Sequence, residues 1–185
     1  LNPNRCKQPS VIIIADKIQL YPEELYERGM EIVTVPTTRN LHNAVNPAIK
    51  SLNYLNNILA KIEANNAGVE EAVMLNSEGF VAECTADNLF IIKNGVLFTP
   101  PLYAGALYGV TRGTVMEIAE QQGIKVVETN LTRYDLFNAD ECFLTGTGAE
   151  IMPVIKIDGR VIGSGKPGAL SKKLIEEYHA LTKVS

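Results

Sequence analysis

The sequence predicts an α+β (mixed α/β) fold in which helices flank a mixed or barrel-like sheet. Short β-branched and apolar runs, which are typical of strands, recur along the chain, and several follow one another between residues 72 and 99 without a helix. Longer segments with helical apolar spacing lie between the other runs. The strict strand–helix alternation of a doubly wound parallel sheet is absent, which favours a mixed sheet. The 185 residues are enough for one continuous core.

The first predicted elements are two strands and a short helix. The β-branched run Val11–Ala15 indicates a buried strand. Pro22–Arg28 predicts a helix, because proline is favoured near a helix start and Gly29 follows its end. A second strand is expected at Glu31–Val35, where Pro36 closes it.

The most amphipathic segment of the chain follows a polar stretch. Pro47 is expected to open a helix there, and Asn66-Ala67-Gly68 is expected to end it. Apolar residues recur at helical spacing along this segment, so one face should be buried. That face comprises Leu52, Leu55, Ile58, Leu59 and Ile62.

Four strands are predicted in the middle of the chain. They are Ala72–Leu75, Phe80–Cys84, Asn88–Lys93 and Val96–Thr99. The dipeptide Asn94-Gly95 between the last two strands is a strong signal for a two-residue hairpin turn.

The last third of the chain combines three predicted helices with three predicted strands. The helices are Thr111–Gln122, Tyr134–Asn138 and Ala169–Lys183, and the strands are Lys125–Asn130, Cys142–Thr145 and Ile151–Ile157. Asp158-Gly159 marks a second tight turn. In the closing helix, Leu170, Leu174 and Leu181 are expected to face inward.

Composition argues against several classes of function. Hydrophobic residues make up 46% and charged residues 21%, which is ordinary for a globular protein. The net charge of −4 and the scattered lysines and arginines predict no nucleic-acid and no membrane partner. The three cysteines are far apart and form no metal-ligand pattern, so we expect no metal site, and free thiols suit a cytoplasmic location.

One glycine-rich run imitates a dinucleotide-binding motif. Gly163–Gly168 fits G-x-G-x-x-G and precedes a helix. Only 17 residues follow it, which is too few for a β-α-β unit, and Pro167 removes a backbone N–H from the loop. We therefore interpret the run as a structural loop.

Two polar side chains stand at the borders of apolar segments. Lys50 precedes the apolar face of the long predicted helix, and Glu83 ends a strand five residues before Asn88. Taken singly, they could be a solvated lysine and an exposed carboxylate. If Glu83 is buried, it needs a cationic partner, because an unpaired buried charge is strongly unfavourable.

Two small-residue turns could bind an anion. Gly109-Val110-Thr111-Arg112 lies at a predicted helix start, and Leu144–Glu150 links two strands. Backbone N–H groups at a helix N-terminus, together with threonine hydroxyls, can cradle a phosphate. Each turn alone could equally be an ordinary cap or an ordinary glycine turn.

Together these segments resemble the fold-type IV pyridoxal-phosphate enzymes, a family that contains branched-chain aminotransferases, D-amino-acid aminotransferases and aminodeoxychorismate lyases. The likeness runs from about Asn46 to the C-terminus, with the motifs in the same order. Lys50 matches the lysine that forms the Schiff base with the cofactor. Glu83, in an E-x-x-x-x-N-[IL]-F segment with Asn88, matches the carboxylate that pairs with the pyridine nitrogen. The wording of Thr145–Glu150 resembles the branched-chain group most.

The resemblance also implies roles for the remaining candidate residues. Tyr54 would bond the ring oxygen, the turn at Val110 and Thr111 would bind the phosphate together with Thr147, and Gly148 and Ala149 would bind the substrate carboxylate.

The implied function is transamination of branched-chain L-amino acids with 2-oxoglutarate, dependent on pyridoxal 5′-phosphate. The alternatives are D-amino-acid transamination, a lyase on the same scaffold, and a non-catalytic domain. The resemblance implies a homodimer or larger assembly. It also implies a linker with the first strands and helix at residues 1–45, a large cofactor-binding domain at 46–185, and a small N-terminal domain that is absent from this chain. Without that domain, we expect this part of the enzyme to be inactive.

Overall fold

The computed structural model describes residues 2–18 and 20–182, and these form one mixed sheet flanked by helices. The strands are β1 (Met30–Val35), β2 (Glu71–Leu75), β3 (Val81–Cys84), β4 (Asn88–Lys93), β5 (Val96–Thr99), β6 (Val126–Glu128), β7 (Glu141–Gly146), β8 (Glu150–Ile157) and β9 (Arg160–Val161). They are ordered β3-β2-β1-β8-β7-β4-β5-β6, with β9 paired to β8. The pairs β1–β2, β1–β8 and β5–β6 are parallel and the others antiparallel, which confirms the predicted mixed sheet.

Helices cover both faces of this sheet. They are α1 (Glu23–Arg28), α2 (Leu55–Asn66), α3 (Val110–Gln121), α4 (Arg133–Phe137) and α5 (Ala169–Thr182), with 3-10 turns at Pro3–Arg5 and Leu102–Ala104. Successive side chains of β4 point to opposite faces. Leu89 belongs to the core beneath α1 and α4, whereas Phe90 stacks on Phe143 at 5.1 Å in the core beneath α3 and α5.

Both predicted tight turns are present. Asn94 and Gly95 have φ values of 50° and 73°, and they join the antiparallel strands β4 and β5. Asp158 and Gly159 have φ values of 52° and 74°, and they join β8 to β9. Positive φ at both central residues suits the right-handed twist of the flanking strands, which is why local sequence predicted these hairpins.

The predicted strand at Val11–Ala15 is wrong. The structure assigns no strand to these residues, and Val11, Ile12, Ile13 and Ile14 are 81–89% exposed. β-branched residues favour a strand only where neighbouring strands and a core face are available, and the described part of the chain packs neither against this segment.

The long helix α2 begins later than predicted, and it buries the face opposite to the predicted one. Residues 47–54 form turns and α2 starts at Leu55, so Pro47 does not open a helix. Ala60 and Ala64 are the buried residues of α2, and they pack against β1 and β2. Small side chains let the helix approach the sheet closely. The predicted apolar face is therefore outward, with Leu52, Leu55, Ile58, Leu59 and Ile62 between 47% and 94% exposed.

The closing helix agrees with the prediction only in part. Leu174 is buried and Leu170 half-buried, but Leu181 is 58% exposed, because Tyr178 is the last residue of α5 in the described core. The predicted end at Lys183 falls outside the described residues. The Glu141 carboxylate accepts hydrogen bonds from the N–H groups of Leu170 and Ser171 and so caps α5. This cap agrees with a structural role for the glycine-rich loop that precedes the helix.

Candidate active site

A cleft of about 640 Å³ opens beside the ends of strands β3 and β7 and the start of β4. Its wall is formed by the loop before α2, the chain after β3, the N-terminus of α3 and the turn after β7. Most pockets for small molecules have volumes of this order. Seven of the predicted site residues line it: Lys50, Tyr54, Glu83, Asn88, Val110, Thr111 and Thr147.

Lys50 lies in the loop before α2, and its side chain is exposed to the cleft. Short turns hold this loop. The Asn46 side chain accepts from the Ala48 N–H at 2.9 Å, and the Ser51 hydroxyl accepts from the Asn53 N–H at 3.3 Å. Such local bonds compete with helix formation, which explains why the helix starts later than predicted. No described residue forms an ion pair with the Lys50 amine.

Glu83 is a buried carboxylate, only 5% exposed. It forms an ion pair with Arg39, and its Oε2 accepts from the Asn88 amide and from the Leu107 N–H, both at 2.9 Å. Burial raises the pKa of this carboxyl from 4.5 to about 7, while Arg39, Leu107 and, more weakly, Lys50 act in the opposite direction. The cleft therefore has a fixed acidic group with the lysine close enough to affect it.

Arg39 is a site residue that the sequence analysis missed. It is 8% exposed and donates to the Gly105 carbonyl at 3.0 Å and to the Asn57 side chain at 2.9 Å, besides pairing with Glu83. Asn57 in turn donates to the Thr85 carbonyl at 2.6 Å. The rule that buried Glu83 needs a cation predicted a partner, but Arg39 follows β1, 44 residues earlier, and only the tertiary fold identifies it.

The N-terminus of α3 forms the opposite end of the cleft. Gly109 is its N-cap residue in extended conformation, and no side chain of the described residues caps the helix. The first N–H groups of a helix have no partner within the helix, so those at Val110 and Thr111 can bind an anion. A Cβ on Gly109 would lie 2.2 Å from Asn88 Oδ1, so only glycine fits there.

The turn after β7 lies beside this helix N-terminus. Thr147 is exposed on the cleft wall, and a Cβ on Gly146 would lie 2.2 Å from Asp87 Oδ1. Gly148 and Ala149 are not among the lining residues: Gly148 packs near Ile18, and Ala149 is buried in the core. Their expected contact with a substrate carboxylate stays a prediction.

Two further carboxylates, Glu71 and Asp87, are buried beside the cleft, and Glu71 is one of its lining residues. The Tyr21 hydroxyl donates to Asp87 at 2.9 Å and lies 3.4 Å from Glu71, and the Thr85 hydroxyl donates to Glu71 at 2.6 Å. Burial, followed by the charge of Glu71, raises the pKa of Asp87 to about 6. This network fixes the turn between β3 and β4, which holds Glu83 and Asn88 in place.

In one cleft of this mixed α+β domain lie a lysine without an ion-pair partner among the described residues, a buried acid and a helix N-terminus without a side-chain cap. The family described as Amino-transferase class IV matches residues 2–157, and the chain belongs to that family.

The names of similar proteins indicate one group within this family. A Methanocaldococcus jannaschii protein is 51% identical over 178 residues, 96% of this chain and 61% of the relative, and its name places it with the branched-chain-amino-acid aminotransferases. The Pseudomonas aeruginosa branched-chain-amino-acid aminotransferase is 42% identical over 160 residues, 86% of this chain and 52% of the enzyme. The chain thus spans between half and two thirds of the length of these relatives.

Solved structures agree with this family. The Escherichia coli branched-chain amino acid aminotransferase superposes with a TM-score of 0.85 at 37% identity, covering 86% of this chain and 53% of that one. The branched-chain amino acid aminotransferase from Thermobaculum terrenum, solved in its PLP form, superposes with a TM-score of 0.81 at 37% identity, covering 84% of this chain and 51% of that one.

Within residues 2–18 and 20–182, no helix is long and apolar enough to span a membrane.

Proposed function

We propose that this chain is the cofactor-binding part of a pyridoxal-phosphate-dependent aminotransferase that acts on branched-chain L-amino acids with 2-oxoglutarate. The observation that carries the proposal is that one cleft contains both the Lys50 amine, which forms no ion pair with any described residue, and the buried, hydrogen-bonded Glu83 carboxylate. The names of the relatives support the branched-chain substrates over D-amino acids.

The residues present fit pyridoxal phosphate. Glu83 offers a buried carboxylate to a ring nitrogen, and the uncapped N-terminus of α3 offers N–H groups to a phosphate. Gly109 and Gly146 pack closely against the Asn88 and Asp87 side chains, which leave no space for a Cβ, so the backbone beside the helix N-terminus is held in place. Lys50 would hold the aldehyde carbon, Tyr54 the ring oxygen, and Val110, Thr111 and Thr147 the phosphate.

When bound, the cofactor supplies an electron sink for carbanion charge at the substrate Cα. Lys50 Nζ would take the proton from that Cα as general base and, as general acid, would deliver it to the former aldehyde carbon of the cofactor. Glu83 would keep a proton on the ring nitrogen, which requires the carboxylate to be ionised, and the Arg39 charge favours that state by lowering the Glu83 pKa. The N–H groups of Gly148 and Ala149 would orient the substrate carboxylate.

The substrates would be an amino acid and a 2-oxo acid. We also infer a homodimer or larger assembly working in the cytoplasm, in line with the family.

Lysine labelling tests the site. The intact protein is incubated with pyridoxal phosphate and reduced with borohydride, and the modified peptide is mapped by mass spectrometry. We expect the label on Lys50. Lys61 is the matched control, since it lines the same cleft but donates to the Glu70 carbonyl. Label spread evenly over Lys61 and surface lysines would contradict the proposal.

Turnover tests the reaction. In the complete enzyme, L-leucine, L-valine and L-isoleucine should react with 2-oxoglutarate, and Lys50→Ala should abolish this turnover while Lys61→Ala retains it. D-alanine serves as the discriminating substrate: faster reaction with it than with L-leucine would favour D-amino-acid transamination. Release of pyruvate without any 2-oxo acid acceptor would favour a lyase.

A further inference from the structure

Thr145 has an unexplained hydroxyl beside the α3 end of the cleft. The residue is 1% exposed, and its Oγ1 has no hydrogen-bond partner among the described residues, although the residue lines the cleft. Buried polar groups in folded proteins are nearly always hydrogen-bonded, so an exception calls for an explanation. A ligand in the cleft can supply the missing partner.

Strand register shows which end of the cleft this hydroxyl serves. Thr145 on β7 lies directly opposite Asn88 on β4, so the two side chains share one face of the sheet. Asn88 Oδ1 abuts Gly109, the N-cap of α3. Thr145 therefore lies on the sheet face that carries the N-terminus of α3, where an anion is favoured.

The cationic side chain in the first turn of α3 is bound to other groups of the protein. Arg112 on α3 is 2% exposed and donates to the Pro100 carbonyl at 3.0 Å and to Glu128. The lining segments Leu107–Thr111 and Thr145–Thr147 contain no lysine or arginine. Within these two segments, the groups that can bind an anion are therefore neutral N–H and O–H donors, and the Thr145 hydroxyl is one of them.

We propose that the Thr145 hydroxyl is a further phosphate ligand of this cleft, donating to the phosphate of bound pyridoxal phosphate. The inference rests on the proposed function, because it takes that cofactor as the ligand. The hydroxyl stays unpaired in the free protein, and binding pairs it. This predicts opposite effects of one substitution on stability and on affinity.

The test compares Thr145→Val, which keeps the shape and removes the hydroxyl, with Thr145→Ser, which keeps the hydroxyl. Pyridoxal phosphate and pyridoxal, which lacks the phosphate, are titrated into the intact protein and followed by absorbance. For Thr145→Val we expect a dissociation constant for pyridoxal phosphate raised about tenfold or more, since hydrogen bonds to charged groups are the strong ones. Thr145→Ser should stay near the wild type, and pyridoxal should bind both variants like the wild type.

Unfolding of the cofactor-free protein separates a binding role from a structural role. Valine removes an unpaired buried hydroxyl, so the urea midpoint of Thr145→Val should be equal to or higher than that of the wild type. A lower midpoint together with weaker binding of both ligands would assign Thr145 to the fold and overturn the inference.

The two proposals fail in different ways. If the wild type takes up pyridoxal phosphate at Lys50 and Thr145→Val binds it equally well, the phosphate-ligand inference is wrong and the proposed function stands. If pyridoxal binding weakens as much as pyridoxal phosphate binding, the hydroxyl contacts another part of the cofactor, and the inference is again wrong. A wild type that binds no pyridoxal phosphate overturns both.

Discussion

The two ends of the cleft differ in whether their polar groups already have partners within the protein. At the Glu83 end, the acid is already paired with Arg39, Asn88 and Leu107. At the α3 end, the helix N-terminus lacks a side-chain cap and the Thr145 hydroxyl has no partner in the described part of the chain. A buried charge needs a partner in the ligand-free protein, because an unpaired buried charge costs a large free energy. A neutral donor without a partner costs less, so it can stay unpaired until a ligand binds. Charge thus decides which end is preorganised.

The largest expected effect comes from removing the cation at the Glu83 end. Arg39→Met leaves a buried carboxylate without its partner, which should lower the free energy of unfolding by about 3 to 5 kcal/mol. Urea unfolding at pH 8 measures it. The control is Arg39→Met combined with Glu83→Gln, which removes the charge and should recover most of the loss. A loss below about 1 kcal/mol in the single variant would show that the acidic end does not depend on this pair.

The second effect depends on pH. Burial raises the pKa of folded Glu83 from 4.5 to about 7, so between these values the folded protein binds more protons here than the unfolded chain. The stability that Glu83 contributes therefore falls as pH rises through this window, by up to about 3 kcal/mol. The stability that Asp87 contributes also falls as pH rises, because its pKa is raised to about 6. Unfolding of wild type and Glu83→Gln at several pH values isolates Glu83, since Asp87 titrates in both proteins. A difference that stays constant with pH would contradict the raised pKa.

The smallest of these effects probes the α3 end. Gly109→Ala places a Cβ 2.2 Å from Asn88 Oδ1, and the forced shift should lower stability by about 1 to 3 kcal/mol and weaken binding of pyridoxal phosphate. Gly113→Ala, on the same helix, meets no atom closer than 3.5 Å. It should raise stability by up to about 1 kcal/mol, because alanine favours the helix interior. Equal behaviour of the two variants would mean that the close packing at Gly109 has no role in the site.

Local elements were the most predictable parts of the fold. The Asn94-Gly95 and Asp158-Gly159 turns depend on backbone preferences of two residues, and both occur as predicted. The strand predicted at Val11–Ala15 is absent from the structure, and the large apolar residues of α2 that were predicted to be buried are exposed. Periodicity identifies an apolar face, but only packing decides whether small or large residues are covered.

Seven of the predicted site residues line one cleft. They could be predicted because each lies in a short motif, and the order of these motifs along the chain is itself informative. Arg39 and Thr145 were missed for physical reasons. Arg39 becomes important only through its ion pair with a strand 44 residues away. Thr145 becomes important only because folding buries its hydroxyl without a partner, a property that residue type does not reveal.

By itself, the sequence determined the mixed α+β class, the hairpins and the family of the chain, since turn chemistry and short motifs are written in adjacent residues. The tertiary structure alone decided which side of α2 is buried, which cation neutralises Glu83, and which hydroxyl stays unpaired at the α3 end. These features depend on burial and on partners distant along the chain, and the energy of a polar group is set by its surroundings after folding.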